Sequence, residues 1–360
     1  MMNKKTNVLK KFVGNQLFIP LVALLLLVIF NLINDPSFFS ISVMYNSNGN
    51  PVLSGSLISI IDFGSELAIL AIGMTIVTAA SGGQDISVGA VIAISGSAML
   101  RVLCGTNPQP ETLRTSIFVA FLVGALVAMV CGAFNGLLVA QFKIQPMVAT
   151  LILYTAGRSI AAWINENRLP IIYEPKFGYI GNFIPGVPIP TPVFIALACM
   201  LLIALVQKFT NLKLYTQAVG INEESSRLNG INPKFIKFMS FVILGFFVSV
   251  AALIKVTRIS TITYSVIAKD IEMDAILAVA LGGNKLSGGK YNIWASILGA
   301  YVIQFLTTTL YKMQVRSDAL PAYKAVVVII LVIISAPAVR EKFAQITKKI
   351  KSKKAANGEV

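Results

Sequence analysis

The sequence contains no histidine and only three cysteines, and charged side chains occupy just 12% of its 360 positions. Without histidine, the commonest ligand of haem and zinc and the commonest proton relay are missing. Cys104, Cys131 and Cys199 lie in or beside apolar runs with no metal-ligand spacing, so they form neither a disulfide framework nor a zinc site. Soluble proteins carry charge at about 25% of positions, and here no segment is long and polar enough to be a soluble catalytic domain. Nothing that remains assembles a nucleophile, base and metal constellation, which argues against a membrane enzyme.

Apolar residues make up 56% of the chain. Leu17 to Ile33 holds no charge, and Ala322 to Val339 holds one, Lys324. A helix crossing hydrocarbon needs roughly 20 apolar residues, because lipid offers backbone amides no partner outside the helix. The chain reads as an all-α polytopic membrane protein. Apolar runs recur over 17–33, 57–80, 86–104, 116–140, 147–164, 192–206, 238–256, 271–281, 291–310 and 322–339. They predict about ten crossings, the eighth run being short. Asn34, Asp35 and Pro36 follow the first run in place of a small-residue cleavage site, so that run reads as an uncleaved anchor.

The net charge of +15 invites a nucleic-acid reading, but its distribution points to the membrane. Lys4, Lys5, Lys10 and Lys11 precede the first run, and Lys342, Lys348, Lys349, Lys351, Lys353 and Lys354 follow the last. Such clusters beside spans follow the positive-inside bias and the anionic inner leaflet. Both termini are expected in the cytoplasm: a basic segment 1–16, a transmembrane domain 17–339 and a basic tail 340–360. The loops then placed inside carry Lys143, the set Lys208, Lys213, Arg227, Lys234 and Lys237, and the pair Lys285 and Lys290. Outside falls Asn34 to Ser56, with no lysine or arginine, and a proline-rich segment, Glu166 to Thr191, that reads as a loop. Arg114, Arg258, Lys269 and Lys312 weaken the bias without reversing it.

The largest hydrophilic insertion inside the cell is 208–237. Within it, "NEESSRLNG" has Asn222 as an N-cap and Glu223 and Glu224 in a first turn that favours acids. Gly230 can supply a left-handed stop, and Asn232 with Pro233 can open the next helix. A short cytoplasmic helix follows, readable as a solvated connector or as a docking element that carries a partner's movement into the membrane.

Two glycine segments share the frame Gly-Gly-x-x-Ile/Leu-Ser-x-Gly: "GGQDISVG" at 82–89 and "GGNKLSGG" at 282–289. The second is not a phosphate loop, since five residues separate Gly283 from Gly289 and Tyr291 follows Lys290. Paired glycines break helices and let backbones approach, and transporters use the freed helix ends at substrate sites. Asp85 can cap a helix beginning at Ile86, with help from Ser87, or it can line a polar route. The other candidates for a translocation path are Gln84, Ser87, Asn135, Gln145, Glu272, Asp274 and Gln304. Each alone could equally be a hydrogen bond between helices.

These residues resemble a known family: the permeases of bacterial ATP-binding-cassette importers for monosaccharides, the ribose, xylose and galactofuranose group. "LAIGMTIVTAASGGQDISVGAVIAISG" is similar to that family's glycine signature, with Gln84 where an apolar residue is usual. "FNGLLVAQFKIQPMVATLILYTAGRSIA" and "PTPVFIA" resemble the galactofuranose-type members in particular, and "EMDAILAVALGGNKLSGGKYNIWASILGAYVIQ" with "KAVVVIILVI" resembles the family's final third. "AVGINEESSRLNGIN" resembles its coupling segment, which implies that Gly220, Asn222, Glu223, Glu224, Arg227 and Gly230 meet the ATPase. The resemblance further implies a type II importer architecture in the inner membrane. It also implies a second permease chain, identical or related, two cytoplasmic ATPase subunits that hold ATP and Mg, and an external sugar-binding protein. No cofactor is expected in this chain. An uncharged sugar is expected to pass a region with few ionisable groups. A nucleoside permease of the same architecture, an ion-coupled secondary transporter and a passive channel remain as alternatives.

Overall fold

The structure, a computed structural model, describes residues 17–45 and 49–335. The basic clusters, the segments 1–16 and 340–360 and the end of the tenth run lie outside the described residues. Helix α1 (Phe18–Asn34) ends at Asp35, whose carboxylate accepts the Ser37 amide at 3.0 Å and starts a short 3-10 turn, Pro36–Phe39. Strands β1 (Ser42–Tyr45) and β2 (Pro51–Ser54) then pair antiparallel. There follow α2 (Ser56–Ser81), α3 (Val88–Cys104), α4 (Ile117–Ala140), α5 (Pro146–Ile164), α6 (Pro175–Gly181) and α7 (Thr191–Phe209). The chain continues through α8 (Leu212–Ile221), α9 (Glu223–Leu228), α10 (Pro233–Ile259), α11 (Ile271–Leu281), α12 (Ile293–Lys312) and α13 (Leu320–Ser335).

Each apolar run seeds one helix, and local chemistry sets the ends. Ser116 accepts the Val119 amide at 3.3 Å and Asn292 accepts the Ala295 amide at 3.1 Å, while Pro146 and Pro233 open α5 and α10. Six helices among the described residues, α2, α4, α5, α7, α10 and α12, are long and apolar enough to cross a membrane. Their burial sorts them. The apolar windows of α2, α12 and α10 are 83%, 72% and 67% buried, against 28%, 28% and 22% for α4, α5 and α7. The first three form the central pillars, and the others present apolar rims of the kind that lipid covers. Close approach is built in where Gly132 of α4 meets the Phe241 carbonyl and Gly245 of α10 meets the Ala128 carbonyl.

The structure overturns one sequence expectation, the Glu166–Thr191 loop, and adds detail to two others. The eighth run folds as α11, an 11-residue helix that spans only about 16 Å, roughly half a crossing. The segment before it, 260–270, is not helical, and Ile262, Ile267 and Ala268 are buried in it. Non-helical backbone survives in a bundle only where protein or a cavity covers it. The stretch Glu166 to Thr191, expected as a loop, contains α6, packed so closely that Gly181 lies against the backbone of Arg258. The insertion 208–237 holds α8 as well as the short helix foreseen at α9.

Candidate functional site

The sequence candidates gather in three places, with Gln145 and Glu272 outside all of them. The first is a buried polar knot. Helix α3 begins at Val88, two residues later than the capping reading requires, and Ser87 makes no side-chain cap bond. Asp85 instead closes a turn just ahead of the helix, accepting the Ser87 amide at 2.8 Å and its hydroxyl at 2.6 Å. Asn135 of α4 donates to Asp85 at 3.2 Å and to Ser87 at 3.0 Å. All three residues are buried, and the cavity beside them measures about 10 Å³, room for one water at most. This knot joins α3 to α4 and leaves no space for a solute. Gln145 lies apart from it, exposed at the start of α5.

The second place is a backbone junction in which the two glycine frames meet. Gln84 donates to the Leu286 carbonyl at 2.8 Å, and the Gly289 amide donates to the Ala79 carbonyl at 3.0 Å. Gly220, in the last turn of α8, sits on that contact: a β-carbon there would collide with the Ala79 carbonyl oxygen and lie 2.5 Å from the Gly289 nitrogen. Only a residue without a side chain permits three backbones to touch at this point. Asn284 anchors the second frame, donating to Ser296 at 2.8 Å, and Ser296 in turn accepts from Thr75 of α2 at 2.7 Å.

Helix α9 stands directly beside the junction. The Asn222 side chain accepts the Ser225 amide at 2.9 Å, and Gly230 takes a left-handed φ of 80°, as the sequence predicts. Lys237 of α10 holds Glu223 at 2.5 Å, and Arg227 pairs with Glu224. Leu228 and Ile221 are 79% and 73% exposed on and just before this turn. A groove of about 560 Å³ between α9 and the start of α10 is lined by Glu223, Glu224, Arg227, Lys143 and Lys234. Of the residues expected to meet a partner, five lie on this exposed turn, whereas Gly220 lies beneath it.

The third place is a cavity of about 600 Å³ at the opposite ends of α2, α10 and α12. Asp274 and Gln304 line it; Glu272 does not, being 2% exposed on the far side of α11, by Gly89 and Arg158. Sequence reasoning missed most of its wall. Glu66 is 1% exposed and bridges Lys255 at 2.7 Å and Arg258 at 2.6 Å, and Arg258 also holds Asp62 at 2.8 Å. Lys324 of α13 pairs with Asp274 at 2.7 Å. A signal was present: Asp62 and Glu66 stand four apart in one apolar run and Lys255 and Arg258 three apart across the end of another, two complementary helix faces. The cavity wall is thus rich in paired charges, where few ionisable groups were expected.

Residues 56–336 match the model of the family described as branched-chain amino acid transport system / permease component. The chain belongs to that permease family. It is 34% identical to the fructose import permease protein FruF of Bifidobacterium longum, over 95% of this permease and 94% of that one. It is 33% identical to the galactofuranose transporter permease protein YtfT of Escherichia coli, over 92% of each chain. Identity to the ribose import permease protein RbsC of Escherichia coli is 31%, over 87% of this permease and 92% of that one. No solved structure matches. Family and apolar helices together make this permease a multi-pass membrane protein.

Proposed function

We propose that this permease is the membrane subunit of an importer that moves a monosaccharide inward by alternating access, driven by separate ATPase subunits. The observation that carries the reading is end-to-end similarity to proteins named as fructose, galactofuranose and ribose permeases. In this reading the end with α9 faces the cytoplasm and the end with the hairpin faces outward. The ATPases, which hold ATP and Mg, grip the groove beside α9. An external binding protein delivers sugar at the cavity end, and a second permease chain completes the membrane core.

The junction supports a route for force. Movement of α9 passes through the last turn of α8 to Gly220, whose backbone bears on Ala79 of α2 and on Gly289 between α11 and α12. Those elements also line the cavity at their far ends. A push beneath thereby reaches the helices that shape the chamber above.

The decisive experiment is uptake of labelled fructose and ribose into proteoliposomes holding the permease with its ATPase and binding protein. Uptake that needs ATP and survives collapse of proton and sodium gradients is expected. Uptake that follows an ion gradient without nucleotide would replace this reading with a secondary transporter. Reversing charge with Glu223→Lys and Glu224→Lys should weaken capture of the ATPase by about tenfold or more while the chain stays inserted. Unchanged capture would count against docking at α9.

A further inference from the structure

We infer that the cavity between α2, α10, α11, α12 and α13 is the chamber that receives the sugar, and that the Asp274–Lys324 pair reads its hydroxyl groups. The inference rests on the import reading above and adds to it a site and a recognition chemistry. The volume, about 600 Å³, falls within the range of about 300–1,000 Å³ in which small-molecule pockets occur. The wall has the composition that a neutral polyol requires. Lys324 gives two hydrogen bonds to Asp274, at 2.7 and 3.1 Å, and an ammonium has a third proton to offer. The Asp274 carboxylate keeps acceptor positions beyond those two. Donor and acceptor therefore stand side by side at the cavity surface. A sugar hydroxyl, which both gives and takes a hydrogen bond, can bridge them, and vicinal hydroxyls can use both.

Helix α12 adds a second, uncharged strip. Gln304, Thr307 and Thr308 fall on one helix face and all line the cavity. Both threonine hydroxyls donate to carbonyls one turn back in α12, at 2.8 and 3.0 Å, so their lone pairs remain to accept. The Gln304 amide makes only a long contact of 3.5 Å, to Thr308. Glu66, by contrast, meets the cavity while only 1% exposed, and its ion pairs with Lys255 and Arg258 fix α2 to α10. The two halves of the wall divide the work: α2 and α10 are locked by their ion pairs, while α11, α12 and α13 present the reading groups. An ammonium beside a carboxylate also matches the two charged ends of an amino acid, so leucine enters the test as the competing class.

The test uses the complete transporter in proteoliposomes, with ATP-driven uptake of labelled D-fructose, D-ribose and L-leucine. The variants are Asp274→Asn, Lys324→Gln, Gln304→Ala and the double Asp274→Asn/Lys324→Gln. Each charge variant should lower sugar uptake about tenfold, the loss expected when a charged hydrogen bond to substrate disappears. The ratio of fructose to ribose uptake should also move by about threefold in at least one single variant, Gln304→Ala included. A clamp that only joins α11 to α13 would slow both sugars equally and would be relieved in the double variant, where neither charge is left alone. Recovery in the double variant, or an unmoved ratio in all three single variants, overturns the chamber while leaving the importer reading intact. Wild-type transporter that moves leucine and neither sugar overturns both.

Discussion

Asp85 accepts two hydrogen bonds from Ser87 and one from Asn135, all in the dry interior. Truncation in Asp85→Ala leaves the Ser87 amide and hydroxyl buried without their acceptor, at a cost of about 1–3 kcal/mol, while Asn135 keeps its bond to Ser87. Asp85→Asn retains an oxygen for the Ser87 turn and should lose less. Thermal unfolding of the detergent-purified permease should therefore rank wild type above Asp85→Asn and Asp85→Ala lowest. Because the adjoining cavity holds at most one water, Asp85→Asn should transport at close to the wild-type rate. A transport defect without a stability defect would move the residue onto the path. Gly220 makes the opposite case, a position defined by having nothing on it. In Gly220→Ala the new methyl must part the Ala79 and Gly289 backbones, a distortion worth about 1–3 kcal/mol. If the junction carries force, the variant should still bind the ATPase yet move less sugar per ATP hydrolysed. Wild-type coupling would show that force travels elsewhere.

Helices and turns differ in how far the sequence discloses them, and the reason is range. The outline of α9 was legible from nine residues, because Asn222 as a cap, Glu223 and Glu224 in the first turn and Gly230 as a stop all act on backbone groups within one or two turns. The ten apolar runs were legible for the same reason: the bilayer imposes a length and a composition locally. What escaped was pairing across the chain. Nothing near Asp274 announces Lys324, fifty positions on, and Glu66 meets Lys255 only because α2 and α10 pack together. The glycine frames gave a hint of contact but not of the third participant, Gly220. The segment 260–270 is the clearest loss. Its path is set by Arg158 of α5, which donates to the carbonyls of Tyr264 at 2.9 Å and Ile267 at 2.8 Å. Ser260, Ala268 and Asp270 take left-handed φ values there, conformations that side chains resist and that surrounding contacts must enforce. Arg158→Lys replaces a rigid fork with one ammonium. Hydrogen exchange of peptides covering 260–270 should rise by about tenfold or more in that variant, with α4 and α7 unchanged. Equal protection would assign the segment's order to the ties from Ser260 and Thr261 to the stretch 170–172.

At the scale of the whole molecule, the cavity and the junction occupy opposite ends of one helix. Phe63 and Ala79 of α2 are separated by about 24 Å of helix rise, and α12 runs alongside with Ser296 near the junction and Thr308 at the cavity. Packed helices transmit displacement along their length, so a chamber at one end and a grip at the other suit a gate worked from beneath. The arrangement succeeds only if the two ends face different compartments. In a chain with Cys104, Cys131 and Cys199 replaced by alanine, Val43→Cys in the hairpin and Ser225→Cys on α9 place single thiols at exposed positions at the two ends. A membrane-impermeant maleimide applied to spheroplasts should label Val43→Cys alone, and applied to inside-out vesicles it should label Ser225→Cys alone. Labelling of both thiols from one side would put α9 beyond the reach of a cytoplasmic ATPase or the cavity beyond the reach of external sugar. Either result removes the geometric basis for nucleotide-driven import, whatever the family resemblance.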